Sequence, residues 1–207
     1  MPKPKGANRT LYAATHAHIL DAATTLFAAK GFAAVTTPEV AMAAGVAHGS
    51  VFHHFPTKRD LFVAVHNRFQ LRLIEGIAAA ADLARDPWSR FDAIWRAYLA
   101  ATEDPDMRRI LLLDGPRVVG LDELRRQDRD TAFAFLMAEV EALAAADLIR
   151  PGSVRAITIL LFGALDQAAF EIADFPEDRE LRDRLAAEFA ALLHRLRVGA
   201  TSPESRR

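Results

Sequence analysis

The run from Val35 to Phe55 constrains this chain most. It reads as two short helices joined by a single tight glycine turn, which leaves no room for a strand or a long loop. Two helices so joined can place the second in the major groove of DNA. Thr37 is placed to cap the first helix, and Pro38 suits its first turn, where a missing N–H costs nothing. Val40, Ala41 and Ala44 give that helix one small apolar face. Gly45 can take the left-handed conformation that ends it, Val46 turns into the core, and the second helix starts near Ala47 or His48.

The flanks extend the pattern. Ile19, Ala22, Ala23, Leu26 and Phe27 fall at i, i+3, i+4, i+7 and i+8, an amphipathic helix ending at Lys30-Gly31. Phe55-Pro56 forces an extended break, because the residue before proline avoids the helix, and Thr57 can cap a fourth helix opening Lys58-Arg59-Asp60-Leu61-Phe62. The ordered set Ala22-Ala23-x-x-Leu26-Phe27, Gly31-Phe32, Thr36-Thr37, Ala41-x-x-Ala44-Gly45-Val46, Gly49-Ser50-Val51-Phe52-x-His54-Phe55 and Lys58-x-x-Leu61 resembles the N-terminal domain of the TetR family of bacterial repressors. So many matches in order are far more specific than a bare helix-turn-helix pattern.

Composition agrees with an all-α chain. Of 207 residues, 51% are hydrophobic and few alternate as strands do, so a helical core can be filled. There is no cysteine, which removes disulfide and thiolate chemistry. No apolar stretch follows the first lysines as in a secretory signal. The longest apolar run, Ile159 to Leu165, falls short of the roughly 20 residues that span a bilayer. A cytoplasmic protein without a membrane partner is expected. Residues 1–68 hold seven Lys and Arg against three Asp and Glu, and six of the seven histidines. The remainder is acidic, so the phosphate-facing end is the first one.

The expected organisation is a flexible basic arm over 1–9, a helix-turn-helix domain over 10–57, and a connecting helix and linker over 58–85. A C-terminal domain over 86–198 and a disordered tail over 199–207 complete it. Asp86-Pro87 opens a fifth helix carrying Trp88, Phe91, Trp95 and Tyr98 on one face. Asp104-Pro105 opens a sixth, stopped by Asp114-Gly115-Pro116, and Leu121 to about Asp147 reads as one seventh helix. The last two, about Ser153–Ala173 and Pro176–Arg197, form an antiparallel pair.

The resemblance implies which positions face DNA. Thr37 would bond a phosphate oxygen, and Lys58 matches the lysine that clamps backbone phosphate in relatives. His48, Gly49, Ser50 and His53 would lie on the outer side of the second helix, where base edges are read. His54 matches a position that supports the motif and can also contact phosphate. Phe52 stands where relatives usually carry tyrosine, so only apolar packing or a thymine-methyl contact remains to it. Val51 and Phe55 are core. The histidines invite a metal reading, but His53 and His54 point about 100° apart on one helix and cannot readily share an ion. No metal and no other cofactor is expected.

The resemblance further implies that the C-terminal helices dimerise and hold an effector. Ile157, Ile159, Leu160, Leu161, Phe162 and Leu165 make the first helix of the closing pair apolar all round, which implies burial on more than one side; Gly163 and Ala164 allow close approach. The stripe of Trp88, Phe91, Trp95 and Tyr98 walls either a core or a cavity. Asp166, Gln167 and Glu171 interrupt an apolar helix, and either pair across a dimer or greet a ligand. Trp95, Tyr98, Phe162, Asp166, Gln167 and Phe170 are the candidate effector contacts. With no phosphate loop, nucleophile elbow or metal motif, no catalytic residue is assigned and an enzyme is not expected. The expected function is a homodimeric repressor on a palindromic double-stranded DNA operator, released by a small-molecule effector. The alternative is an effector-independent architectural or division-associated DNA binder.

Overall fold

The computed structural model describes residues 5–198, with side chains from Thr10 onward. The tail expected over 199–207 and the first residues of the arm lie outside the described residues. The arm is helical from Lys5, where α1 (Lys5–Lys30) begins, so the expected boundary at residue 9 falls inside a helix. Every regular element among the described residues is helical. The others are α2 (Thr37–Ala43), α3 (His48–His54), α4 (Lys58–Asp82), α5 (Pro87–Ala101), α6 (Pro105–Met107), a π-helical segment Arg108–Asp114, α7 (Gly115–Val118), α8 (Leu121–Asp130), α9 (Ala132–Ala145), α10 (Val154–Asp174) and α11 (Arg179–Leu196).

The helix ends follow local chemistry. Gly31 and Gly45 close α1 and α2 at φ +78° and +67°, a region open to glycine at little cost. The cap of α2 is Thr36 rather than Thr37: Thr36 Oγ1 accepts from the Glu39 amide, and Thr37 is the first helical residue. Thr57 and Asp60 form a reciprocal capping pair at α4, each side chain accepting from the other's amide at 3.0 Å. Asp86 caps α5 through the amides of Trp88 and Ser89, and Ser153 caps α10 through that of Ala156.

Two helices depart from the expected course. The sixth does not stop at Gly115-Pro116. The segment Arg108–Asp114 widens to π geometry and α7 continues to Val118, with Pro116 in a first turn that needs no N–H from it. The seventh is broken at Thr131, whose hydroxyl donates back to the Gln127 carbonyl at 2.7 Å while its backbone leaves the helical region. The break separates a charged surface helix with no buried residue from the apolar α9, which buries Leu136, Val140 and Leu143.

The chain forms two compact units, and the division falls inside α4. The first joins residues up to Leu71 with Pro105–Leu121, so residues 105–121, expected in the C-terminal domain, pack with the early helices. The reason is polar as well as apolar. Asp114 Oδ2 accepts the Phe32 amide at 2.7 Å, and Arg59 donates to the carbonyls of Val118 and Val119 at 3.0 and 2.8 Å. Ile110 and Val119 are buried with Ile19, Phe27, Val35, Val40, Val51, Leu61 and Phe62 in this unit's interior. Phe27, Phe32 and Phe62 meet ring to ring at centroid distances of 5.3 to 5.9 Å.

The second unit, Arg72–Asp104 with the residues from Asp122 onward, is a helical bundle around Phe91, Trp95, Val140, Leu161, Leu165 and Phe189. Arg90 holds Glu139 with its Nε and Asp82 with its Nη1. Residues 148–150 and 196–198 tie the end of α11 back through Arg150 N–H to Leu196 O and Val198 N–H to Leu148 O. Helix α10 is long and apolar enough to cross a membrane, yet Thr158, Leu161, Leu165, Ala168, Ala169 and Ile172 on it are core. Its other side is open in the single chain: Ile159 is 50% and Leu160 72% exposed.

Candidate nucleic-acid interface

Helix α3 sorts its residues by side. Val51 is buried and Phe55, just past its end, closes the core behind it, while His48, Gly49, Phe52 and His53 are exposed and Ser50 is half-buried. Thr37 Oγ1 lies 3.2 Å from His48 Nε2, so the start of α2 and the start of α3 are bonded side chain to side chain. The Phe52 ring meets His48 edge to face, 5.0 Å between centroids. The six exposed or half-exposed candidates Thr37, His48, Gly49, Ser50, Phe52 and His53 therefore sit on one tract formed by two short helices.

His54 leaves that tract. Its ring is half-buried against α1, 4.1 Å from the Tyr12 ring and 5.8 Å from His16, and Nδ1 is buried without a hydrogen-bond partner. Burial holds its pKa below the usual histidine value, and the nearby His16 and His53 rings add to this. His54 thus joins α1 to α3, in the supporting position expected of it. Tyr12, which also meets His53 at 5.8 Å, escapes the sequence-based expectation. A signal for it exists: Tyr12, His16, Ile19 and Ala23 continue the α1 stripe at helical spacing.

Lys58 opens α4 with its ammonium 4.3 Å above the Phe32 ring and 3.5 Å from the Ala33 carbonyl. Both contacts are weak, so the amine can exchange them for a phosphate. Arg59 beside it is committed to the carbonyls of Val118 and Val119. Glu39 is held by Lys30 across α1 and α2, which depresses its carboxyl pKa and offsets one negative charge near the tract.

The effector candidates divide. Trp95 is core: it is buried, donates from Nε1 to Asp92 at 3.0 Å and packs on Phe189. Tyr98 donates to Asp166, and burial together with Asp166 and Asp128 pushes its hydroxyl pKa far up. Phe162 is half-buried against Phe133, and Phe170 is half-buried on the same helix. Gln167 is exposed and donates to Glu171 at 2.9 Å, on a different side of α10 from the Tyr98–Asp166 contact.

Burial pushes the Asp166 carboxyl above its ordinary value, only partly opposed by the Tyr98 hydrogen bond. A folded-state pKa above the unfolded one stabilises the fold at low pH and loses that contribution as pH rises through the folded pKa. Asp166→Asn keeps an acceptor for Tyr98 and removes the charge. It should therefore melt higher than the parent at pH 7, with the gain shrinking towards about pH 4, the usual carboxylate range. Thermal melts across pH check this, and an unchanged or lowered midpoint at pH 7 would contradict it.

Comparison with known proteins fits this geometry. Residues 88–196 match the family described as tetracyclin repressor-like, C-terminal domain, and residues 19–65 match bacterial regulatory proteins, tetR family. The chain belongs to the TetR family. This TetR-family chain is 33% identical over 99 residues to the HTH-type transcriptional regulator AcrR of Shigella flexneri, covering 47% of this chain and 46% of that one. It is 27% identical over 115 residues to the transposon Tn10 TetC protein of Escherichia coli, covering 56% and 58%. The chain spans about half the length of these curated relatives. A crystal structure of a TetR-family transcriptional regulator from Pectobacterium atrosepticum superposes with a TM-score of 0.81 at 27% identity, over 92% of this chain and 97% of that one. As a TetR-family member the chain pairs the family's N-terminal helix-turn-helix domain with a second helical domain.

Proposed function

We propose that this regulator is a homodimeric repressor of a pseudo-palindromic operator, released when a small molecule binds the second unit. The tract of Thr37, His48, Gly49, Ser50, Phe52 and His53 carries the reading: six polar, small or exposed aromatic positions on one side of α2 and α3, backed by buried Val51 and Phe55. Two such tracts related by a two-fold axis match two half-sites about one helical repeat apart. Lys58 and Thr37 position the unit on phosphate, and His48, Ser50 and His53 read base edges.

Selection from a random duplex pool followed by gel shifts at several salt concentrations tests this. Lys58→Ala should weaken all sequences alike and reduce the salt slope by about 0.9 for each phosphate no longer neutralised. Ser50→Ala should instead change the preferred sequence. If neither variant alters binding, the tract is not the interface.

For the effector, the side of the second unit bearing Tyr98, Phe162, Asp166 and Phe170 suits a mainly apolar molecule with one cationic or hydrogen-bond-donating group. A ligand shifts operator affinity only through different affinities for two states of the protein. Asp166→Asn should then leave operator binding intact and change the response to the compound. Operator binding that no compound releases would favour the effector-independent reading.

A further inference from the structure

We propose that α3 reads the 5-methyl group of one thymine in each operator half-site, using a notch floored by Gly49 and walled by Phe52. This rests on the DNA-binding reading above and adds the chemical feature that is recognised.

The notch begins with a glycine that the fold itself does not require. Gly49 lies in the first turn of α3 with no positive φ, and a Cβ built on it meets nothing within 4 Å. A helical glycine costs about 1 kcal/mol relative to alanine. With no turn to make and no neighbour to clear, the missing side chain leaves room for something outside the protein. Gly31 and Gly115 differ, since a Cβ on either would meet side chains of this chain at 3.1 to 3.2 Å; Gly76 and Gly163 are as clear as Gly49, but Gly49 is the one that lies on α3 beside an exposed ring.

Phe52 stands three residues on, hence beside Gly49 on the helix surface. It is a large apolar side chain, 43% exposed. It is held in place on one side by the edge-to-face contact with His48, and His48 is tied in turn to Thr37 Oγ1. The ring has neither donor nor acceptor. In the major groove a base pair offers hydrogen-bonding groups and, on thymine alone among the ordinary bases, a methyl group. An oriented phenyl beside an open backbone position complements that methyl better than any hydrogen-bonding group of the groove floor.

Burying one methyl is worth about four-fold in affinity, so two half-sites give about fifteen-fold. The experiment replaces each thymine of a selected operator, one palindromic pair at a time, with deoxyuridine, which pairs identically and lacks only the methyl. One pair should cost about fifteen-fold with the parent protein, and the others little. Phe52→Ala should bind the two duplexes within about two-fold of each other. Gly49→Ala should keep or raise the melting temperature, yet lose affinity for the thymine operator more than for the deoxyuridine one. If every deoxyuridine operator binds as tightly as its parent, or if Phe52→Ala keeps the full discrimination, the proposal is overturned while DNA binding stands. If no duplex in the pool is bound specifically, the DNA-binding reading falls first.

Discussion

If the proposed homodimer forms through α10, a Leu160→Asp protein is expected to sediment as a monomer under conditions where the parent pairs, and to lose at least about 100-fold in operator affinity. Helix α10 supplies much of the second unit's core through Leu161, Leu165 and Ile172, yet Ile159 and Leu160 beside them are 50% and 72% exposed. Leu192 on α11 is 42% exposed, and Gly163 between the apolar positions of α10 is exposed and clear of neighbours. An apolar surface on two packed helices, opened by a glycine, suits a second copy of itself across a two-fold axis. Each leucine buried there contributes about 1.5–3 kcal/mol and is counted twice in the pair. At about 1.4 kcal/mol per factor of ten, losing both reaches 100-fold before the cost of burying two carboxylates is added. Sedimentation and gel shift on the same sample check it. A variant that stays dimeric and binds normally places the seam elsewhere.

The second large effect concerns Gly115. A Cβ there would stand 3.0 Å from the Ile110 carbonyl oxygen and 3.1 Å from His66 Cδ2 and Nε2. The carbonyl belongs to the π-helical segment and the imidazole is 2% exposed, so neither neighbour yields easily. Gly115→Ala should cost about 1–3 kcal/mol, which in a chain of this size lowers the melting midpoint by about 2–12 °C. The same buried imidazole makes the first unit acid-sensitive. Burial holds the His66 pKa below the usual value of about 6.5, partly opposed by a hydrogen bond with Asn67. Below that value the unfolded chain takes up a proton that the folded chain refuses, so stability present above about pH 6.5 is lost as pH falls through the folded-state pKa. His66→Gln should flatten part of the decline in melting midpoint between about pH 7 and about pH 5.5. His54, lowered by burial in the same direction, accounts for a further part. Equal slopes in parent and variant would show that His66 does not titrate across folding.

What could be read from sequence was governed by neighbours in the chain. Gly45, Phe55-Pro56, Thr57, Asp86 and Ser153 act within three or four residues of themselves, and each ends or opens a helix where its chemistry indicates. Thr36 and Thr37 compete for one cap, and a shift of one residue decides between them. Asp166 and Gln167 are likewise adjacent, and the roughly 100° between consecutive helical positions sends one inward and the other outward. The π widening at Arg108–Asp114 has no residue signature, so the course of the sixth helix was not legible. Nor could Asp114 be matched with an amide 82 residues earlier, because a backbone N–H is common to almost every position. At the interface the motif located α3, but Tyr12, His16 and His54 act through ring contacts that only the packed helices display.

The bond from the Phe32 amide to Asp114 carries a consequence for how this protein is made. The first unit is discontinuous: its early residues are complete only when Pro105–Leu121 has been added, with Arg59 waiting for the carbonyls of Val118 and Val119. At ordinary elongation rates of about 5–20 residues per second, the stretch between Leu71 and Leu121 takes some seconds to emerge from the ribosome. During that interval the nascent chain already carries α3 but lacks Ile110 and Val119 from its interior. Ribosome-stalled chains ending shortly after residue 71 should therefore be protease-sensitive, and protection of the early helices should begin only after Leu121 clears the exit tunnel. For anyone grafting this DNA reader onto another protein, the transplant has to be cut in two pieces rather than one.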